Sequence, residues 1–102
     1  MDLKQRHVVE EMVVIGDAQP RLGAVVFLRE EVHHGAETRA YVESLVRAFN
    51  ATRAVDERIG PWAISEKPFK EAGVLGPSGK LIRRRVEERY AVIFGREVEM
   101  AR

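Results

Sequence analysis

The sequence predicts an α+β fold, in which a small, mainly antiparallel three-stranded sheet carries helices packed against it. Two short apolar runs, residues 12–15 and 22–28, are rich in valine and separated by a turn segment. Apolar residues then recur at helical spacing from Ala36, and again from Leu81. The order is helix, strand, strand, long helix, strand, loop, helix, and it suits a single domain spanning residues 1–102.

The N-terminal part of the chain contains the two strands that we expect to pair. Residues 2–11 are mostly polar, and Asp2 would cap a brief helix there. Residues 12–15 form a predicted buried strand that ends at Gly16, and residues 22–28 form a second one. Because a short turn joins these two strands, we expect them to pair antiparallel.

The long helix is the clearest amphipathic segment. It is predicted from Ala36 to about Val55, with an apolar face and a charged face. Gly60 and Pro61 are expected to break it. Residues 62–65 alternate weakly between apolar and polar types and are the predicted third strand. The apolar face of the helix is formed by Tyr41, Val42, Leu45, Val46 and Phe49.

The last third of the chain is predicted to be a loop followed by a helix. Residues 67–80 contain two prolines and three glycines, too many for a regular element. From Leu81 to Phe94 the apolar residues again follow a helical stripe, which Gly95 would end. Residues 96–102 are expected to form a frayed tail.

Size and composition exclude several classes of protein. The 102 residues support one modest core but not a small-molecule pocket enclosed on all sides. The formal net charge is only +1, so no general attraction to nucleic acid or membranes is expected. The absence of cysteine excludes disulfides and a Cys nucleophile. Because no apolar run reaches about 18 residues and no signal peptide is evident, we expect a cytoplasmic protein without a membrane span.

The glycine-rich segment before Lys80 invites a phosphate-loop interpretation, which its spacing argues against. The Walker pattern requires a glycine six residues before the lysine, and Val74 occupies that position. It also requires a Ser or Thr after the lysine to hold Mg²⁺, and the chain has Leu81 there. A phosphate loop is therefore not expected.

Nucleic-acid binding is a second interpretation, because phosphate contacts need clustered basic residues. Glu87 and Glu88 offset this charge and can form i,i+4 pairs within the helix, for example Arg83 with Glu87 and Arg84 with Glu88. A solvated helix face therefore explains the cluster more simply. The basic residues concerned are Arg83, Arg84, Arg85 and Arg89.

A metal site at the adjacent His33 and His34 is a third interpretation. Neither carboxylates nor cysteines accompany them at a ligand spacing, and His7 is distant in sequence. We therefore expect an exposed pair of histidines and no metal site.

The interpretation that we favour makes Lys80 a functional cation held by a rigid loop. Lysine is a point charge suited to phosphate or carboxylate oxygens. A cation at the start of a helix is disfavoured by the helix dipole, which argues weakly against a purely structural role. A lysine in such a small domain would act only if it were presented to a pocket on another domain.

Two stretches of the chain resemble the C-terminal domain of the adenylate-forming, or AMP-binding, superfamily, and most closely that of long-chain fatty acyl-CoA synthetases. The first is residues 7–17 (HVVEEMVVIGD) with the apolar run that follows. The second is residues 73–84 (GVLGPSGKLIRR), preceded by Asn50 and Pro68-Phe69 and followed by residues 85–90 (RVEERY). The resemblance covers nearly the whole chain, and the order and spacing of these motifs together make it specific.

This resemblance implies a function for the loop. Such enzymes activate a carboxylate with ATP to give an acyl-adenylate and then transfer the acyl group to coenzyme A. Lys80 matches the catalytic lysine, which reaches the carboxylate and the α-phosphate when the mobile small domain closes on the large one. Pro77, Ser78 and Gly79 would shape the loop, and Arg83 would help to position it.

The resemblance also implies what this chain would lack. The large N-terminal AMP-binding domain, supplied in cis or in trans, would hold ATP, Mg²⁺ and the acyl chain, and the hinge and its β-hairpin are not expected here. We therefore expect this chain alone to bind no cofactor and to be inactive. Gly76 and Gly79 depart from the long-chain pattern, so the acyl specificity stays open. The alternative is a protein-binding module or inactive remnant of that family, and a homo-oligomer is a further open alternative.

Overall fold

A computed structural model describes residues 8–16 and 19–94 of the chain. Its sheet has the strand order β1-β2-β3. Four predicted features lie outside the described residues. They are the helix capped by Asp2, the centre of the first turn (residues 17 and 18), the helix end at Gly95 and the tail that follows it. The elements are β1 (Val9–Ile15), β2 (Leu22–Leu28), α1 (Ala36–Ala51), a 3₁₀-helix (Val55–Glu57), β3 (Ile59–Ile64), a second 3₁₀-helix (Phe69–Glu71) and α2 (Arg83–Arg89).

The predicted α+β class and three-stranded sheet are confirmed, and the sheet is mixed. Strands β1 and β2 pair antiparallel, from Val9 opposite Leu28 to Ile15 opposite Gly23. Strands β2 and β3 pair parallel, because α1 carries the chain back across the sheet before β3 begins. The sheet therefore combines a hairpin with a strand–helix–strand unit.

Both outer strands are longer than the sequence predicted. Strand β1 starts at Val9 rather than residue 12, and its register shifts between Val9 and Glu11. Strand β3 starts at Ile59 and includes Pro61, which we expected only to break a helix. An edge strand accepts charged residues, bulges and proline, because one side of its backbone makes no pairing with the sheet. In β3 the register shift lies opposite Gly23, beside the proline.

The helices are shorter than predicted. Helix α1 ends at Ala51, four residues early, where the Thr52 hydroxyl donates to the Phe49 carbonyl. Helix α2 begins at Arg83 instead of Leu81, because the two residues before it are engaged in backbone pairing with an earlier segment. After Arg89 the helix is interrupted for two residues, and residues 92–94 are helical again.

The central strand β2 is buried on both faces of the sheet. We call the face toward α1 the α1 face and the face toward α2 the α2 face. On the α1 face Val26 packs near Val42, and on the α2 face Phe27 packs in a cluster with Val86. Strand side chains alternate between faces, so a fully apolar strand predicts this double burial. In the part of the chain that the structure describes, no helix is both long enough and apolar enough to cross a membrane.

Candidate functional site

The glycine-rich segment predicted as a loop is a β-hairpin, which we call the Lys80 hairpin (residues 74–82). Leu75 and Leu81 face each other as an antiparallel pair. The Ile82 amide donates to the Val74 carbonyl at 2.8 Å and closes the hairpin at its base. Because Val74 is fully buried in the core of the α2 face, the base of the hairpin is anchored in the domain.

The turn of the hairpin is formed by the residues that the resemblance singled out. The Gly79 amide donates to the Gly76 carbonyl at 2.9 Å, with Pro77 and Ser78 between them. Gly79 has a φ of +80°, and the Gly76 amide donates to the Lys80 carbonyl at 2.8 Å. This arrangement fits a three-residue hairpin loop that ends in a glycine bulge. The turn therefore fixes the backbone of Lys80 through two hydrogen bonds that involve Gly76.

The Lys80 side chain is exposed and available to a partner. Among the described residues, no carboxylate lies within ion-pair distance of its ammonium group and none accepts a hydrogen bond from it. Apart from its chain neighbours, no atom lies within 4 Å of the place where Gly79 would carry a Cβ. The hairpin thus presents a lysine with open space beside it.

The basic residues after the hairpin differ in what they contact. The Arg83 guanidinium lies 3.9 Å from the Glu87 carboxylate, which is one of the i,i+4 pairs expected from the sequence. The Arg85 side chain instead turns back and donates to the Leu75 carbonyl at 3.0 Å. Arg83 and Arg85 therefore both have partners inside the domain. The positioning role expected of Arg83 stays a prediction.

A second group of contacts joins the segment after β3 to the end of α2. Ser65 is only 2% exposed, and its hydroxyl lies 2.7 Å from the Tyr90 hydroxyl. The Ser65 hydroxyl also donates to the Lys67 carbonyl at 2.9 Å. The Phe69 ring packs against Phe27 in a tilted arrangement, with ring centroids 5.1 Å apart. These contacts tie the segment between β3 and the hairpin to the sheet and to the end of α2.

Asn50 connects the end of α1 to the start of β3. Its side-chain nitrogen donates to the Ile59 carbonyl at 3.0 Å, and its side-chain oxygen accepts the Ile59 amide at 2.8 Å. A single amide side chain thereby satisfies both backbone groups of one residue on an edge strand. Asn50 therefore has a structural role in this domain.

The family comparison decides which kind of domain this is. The sequence model of one protein family, described as the AMP-binding enzyme C-terminal domain, matches residues 1–96 of the chain. The chain belongs to this family. None of the curated proteins matches the sequence.

A solved structure resembles this C-terminal domain in fold and sequence. It is the A-PCP didomain of carboxylic acid reductase (CAR) from Segniliparus rugosus in complex with AMP. It matches with a TM-score of 0.66 and 26% identity over 93% of this chain. The C-terminal domain spans 14% of the length of that protein's chain. The superfamily resemblance is thus confirmed, whereas similarity to long-chain acyl-CoA synthetases in particular stays a prediction.

The hairpin also separates this C-terminal domain from the P-loop proteins. In a P-loop the glycine-rich segment leads directly into the N-terminus of a helix, whose amides hold the phosphates. Here Lys80 belongs to a hairpin, and α2 begins only at Arg83. The amides of Gly76 and Gly79 are used inside the hairpin. The segment therefore lacks the strand–loop–helix geometry of a P-loop and presents Lys80 from a hairpin turn.

The two loop histidines lie at the start of α1. His33 and His34 are exposed, and the His33 carbonyl accepts a bond from the Thr38 hydroxyl. Within residues 8–16 and 19–94, no group of three or more His, Cys, Asp or Glu side chains is placed to hold a metal ion.

The sequence singles out Lys80 but does not predict the contacts that support its hairpin. Pro77 and Gly79, at the second and fourth positions of a four-residue turn, are a signal that could have predicted the hairpin. No sequence signal indicates that Arg85 contacts a carbonyl ten residues earlier. Tyr90 falls within the predicted helical stripe of residues 81–94, and that pattern does not indicate the contact of its hydroxyl with Ser65.

Proposed function

We propose that this chain acts as the mobile C-terminal domain of an acyl-CoA synthetase or related fatty-acid ligase in the cytoplasm. In this proposal Lys80 enters the active site of a large N-terminal AMP-binding domain. There it assists the formation of an acyl-adenylate from a carboxylate and ATP. The observation that carries the proposal is an exposed lysine, without a partner among the described residues, held by a hydrogen-bonded hairpin in a member of this family.

The chemistry of adenylation gives such a lysine a clear task. The attacking carboxylate and the α-phosphate are both anionic, so they repel each other as the new bond forms. An ammonium group between them offsets this repulsion, and it does so most effectively when its position is fixed in advance. The Lys80 hairpin supports this role, because the turn at Gly76 and the base at Val74 fix the backbone from which the lysine extends.

Similarity supports the substrate class. The structural relative is part of a carboxylic acid reductase and was solved with AMP. By similarity, we assign a carboxylic acid and an adenine nucleotide to the complete enzyme of which this domain would form part. A long-chain fatty acid as the carboxylate and coenzyme A as the acceptor are the finer part of the proposal, which rests on the sequence motifs.

The nucleotide and the metal would bind outside this domain. By the family resemblance, the large N-terminal domain holds the nucleotide and the metal. ATP, Mg²⁺ and coenzyme A therefore belong, in this proposal, to the complete enzyme. The N-terminal domain would supply the nucleotide pocket, either on the same chain or as a separate protein.

A chimera provides the test. The 102-residue chain replaces the matching segment of the Segniliparus rugosus reductase, and ATP–pyrophosphate exchange is measured with a carboxylic acid that its large domain accepts. Because one stabilising charge is removed, Lys80→Ala should lower the exchange rate by about 100- to 1,000-fold. Lys70→Ala is the matched control, since Lys70 is also an exposed lysine of the α2 side of the domain.

Two results would count against the proposal. Exchange that survives Lys80→Ala would show that the lysine is dispensable. A folded chimera that binds AMP but catalyses no exchange would favour the alternative function, a protein-binding module or an inactive remnant of the family.

A further inference from the structure

Among the described residues, one side-chain hydrogen bond links the Lys80 hairpin to the helix that follows it. The Arg85 Nη1 atom donates to the Leu75 carbonyl at 3.0 Å. Leu75 pairs with Leu81, which is the immediate neighbour of Lys80. A bond to the Leu75 carbonyl therefore acts on the strand directly opposite the residue next to Lys80.

The helical end of this connection is anchored in the core. Val86, the residue after Arg85, is fully buried and packs in the same cluster as Val74 at the base of the hairpin. The Arg85 amide also donates to the Ile82 carbonyl at 3.0 Å. Arg85 thus extends from an anchored position on α2 and bonds the hairpin at Leu75, one residue beyond the buried Val74.

The neighbouring arginines do not make this contact. Arg83 lies beside Glu87 on the helix surface. Arg84 is exposed, and no described residue is close enough to be its ion-pair or hydrogen-bond partner. Among the three consecutive arginines of α2, the contact with the hairpin is therefore a property of Arg85.

We infer that Arg85 is a positioning residue that holds the Lys80 hairpin against α2, so that the ammonium group meets the reacting carboxylate and phosphate in a fixed orientation. This inference rests on the proposed function of Lys80. Arg85 does not touch the substrate in this role. It acts through the Leu75 carbonyl, whose bond to a charged donor is stronger than one to a neutral donor.

The contact can be tested first in the chain itself. Arg85→Met keeps the aliphatic stem and removes the donor, and Arg84→Met makes the same change at the adjacent exposed position. Amide hydrogen exchange is followed by NMR at Gly76, whose amide donates to Lys80, and at Val46 in α1. We expect Arg85→Met to speed exchange at Gly76 by about 3- to 10-fold, the effect of losing one hydrogen bond. Val46 should be unchanged.

The same substitutions in the active chimera test the consequence for catalysis. If Arg85 positions Lys80, Arg85→Met should lower kcat for pyrophosphate exchange by about 3- to 10-fold, with KM for ATP and the acid unchanged. Arg85→Lys should recover much of this loss, because an ammonium group can also donate to the Leu75 carbonyl. Arg84→Met should match the unsubstituted chimera, and thermal unfolding should confirm that all variants are folded.

The outcomes separate this inference from the proposed function. Equal Gly76 exchange in Arg85→Met and Arg84→Met would overturn it, because the hairpin would not depend on Arg85. Unchanged kcat in Arg85→Met, in a chimera that Lys80→Ala inactivates, would also overturn it while leaving the role of Lys80 intact. Full activity in Lys80→Ala would defeat the proposed function and, with it, the catalytic part of this inference.

Discussion

The two faces of the sheet are covered in different ways. On the α1 face a single 16-residue helix supplies the cover, and its buried residues Val42 and Val46 are one turn apart. On the α2 face the cover is assembled from a seven-residue helix, a 3₁₀-turn and the Lys80 hairpin. Contacts between residues distant in sequence hold these pieces together, among them the Ser65–Tyr90 pair.

This difference shows where the domain can carry a function. Helix α1 covers its face of the sheet with a regular apolar stripe. A hairpin and irregular segments can present a residue such as Lys80, provided that a rigid layer supports them. The α1 face and the central strand β2 form that layer, so damage to each face should have a different consequence.

Phe27 provides the largest expected contrast between the faces. It is fully buried and contacts the rings of Phe69 and Tyr90, at centroid distances of 5.1 and 5.9 Å. Phe27→Ala should lower the free energy of unfolding by about 3–5 kcal/mol, because it leaves a large cavity and removes two aromatic contacts. Val42→Ala, a smaller truncation on the α1 face, should cost about 2 kcal/mol.

Urea denaturation monitored by circular dichroism would measure both values. The α2 face should also lose its order first, so NMR signals of the Lys80 hairpin should change more in Phe27→Ala than in Val42→Ala. Equal losses from the two substitutions would contradict the view that the irregular cover depends on the aromatic cluster.

Asn50 offers the second contrast, on the α1 side. Asn50→Ala removes two bonds to Ile59 and leaves a part-buried amide and carbonyl without their partner. We expect a loss of about 1–3 kcal/mol in the free energy of unfolding, measured in the same way. Ser44→Ala is the control, since that exposed hydroxyl bonds only a carbonyl of its own helix, at Tyr41. If Asn50→Ala behaved like Ser44→Ala, the connection would not contribute to stability.

The α1 face was the easier one to predict from sequence. The spacing of Tyr41, Val42 and Phe49 gave the helix, and the unbroken apolar run gave β2. The errors at their ends have a local cause. Asn50 is tied to Ile59, so the chain leaves the helix soon afterwards and enters β3 earlier than its weak alternation suggested.

The elements that cover the α2 face were harder to predict, because contacts between residues distant in sequence determine their structure. Leu81 continues the apolar stripe of α2, yet it pairs with Leu75, and a pattern of spacing cannot distinguish the two states. The glycine-rich loop drew attention to Lys80, and the family resemblance suggested its catalytic role, which composition and periodicity alone do not indicate. The contact of Arg85 with Leu75 joins two residues ten positions apart, and no spacing pattern in the sequence indicates it.

Substitutions at Gly79 should have the smallest effect on stability, and they test the turn of the hairpin directly. Its φ of +80° is a left-handed conformation, and no neighbouring atom would clash with an added Cβ. Gly79→Ala should therefore cost only the backbone term, about 1–2 kcal/mol, without any steric contribution. Gly79→Asn should cost less, because asparagine tolerates this region better than alanine.

The effect of Gly79→Ala should remain local. Gly76 donates to the Lys80 carbonyl across the turn, so a strained residue 79 should weaken that bond and speed Gly76 amide exchange, while α1 amides exchange as before. In the chimera the adenylation rate should fall with the same ranking, glycine above asparagine above alanine. If alanine preserved both stability and Gly76 protection, the hairpin would have a second backbone geometry available, and Lys80 would not depend on the left-handed turn.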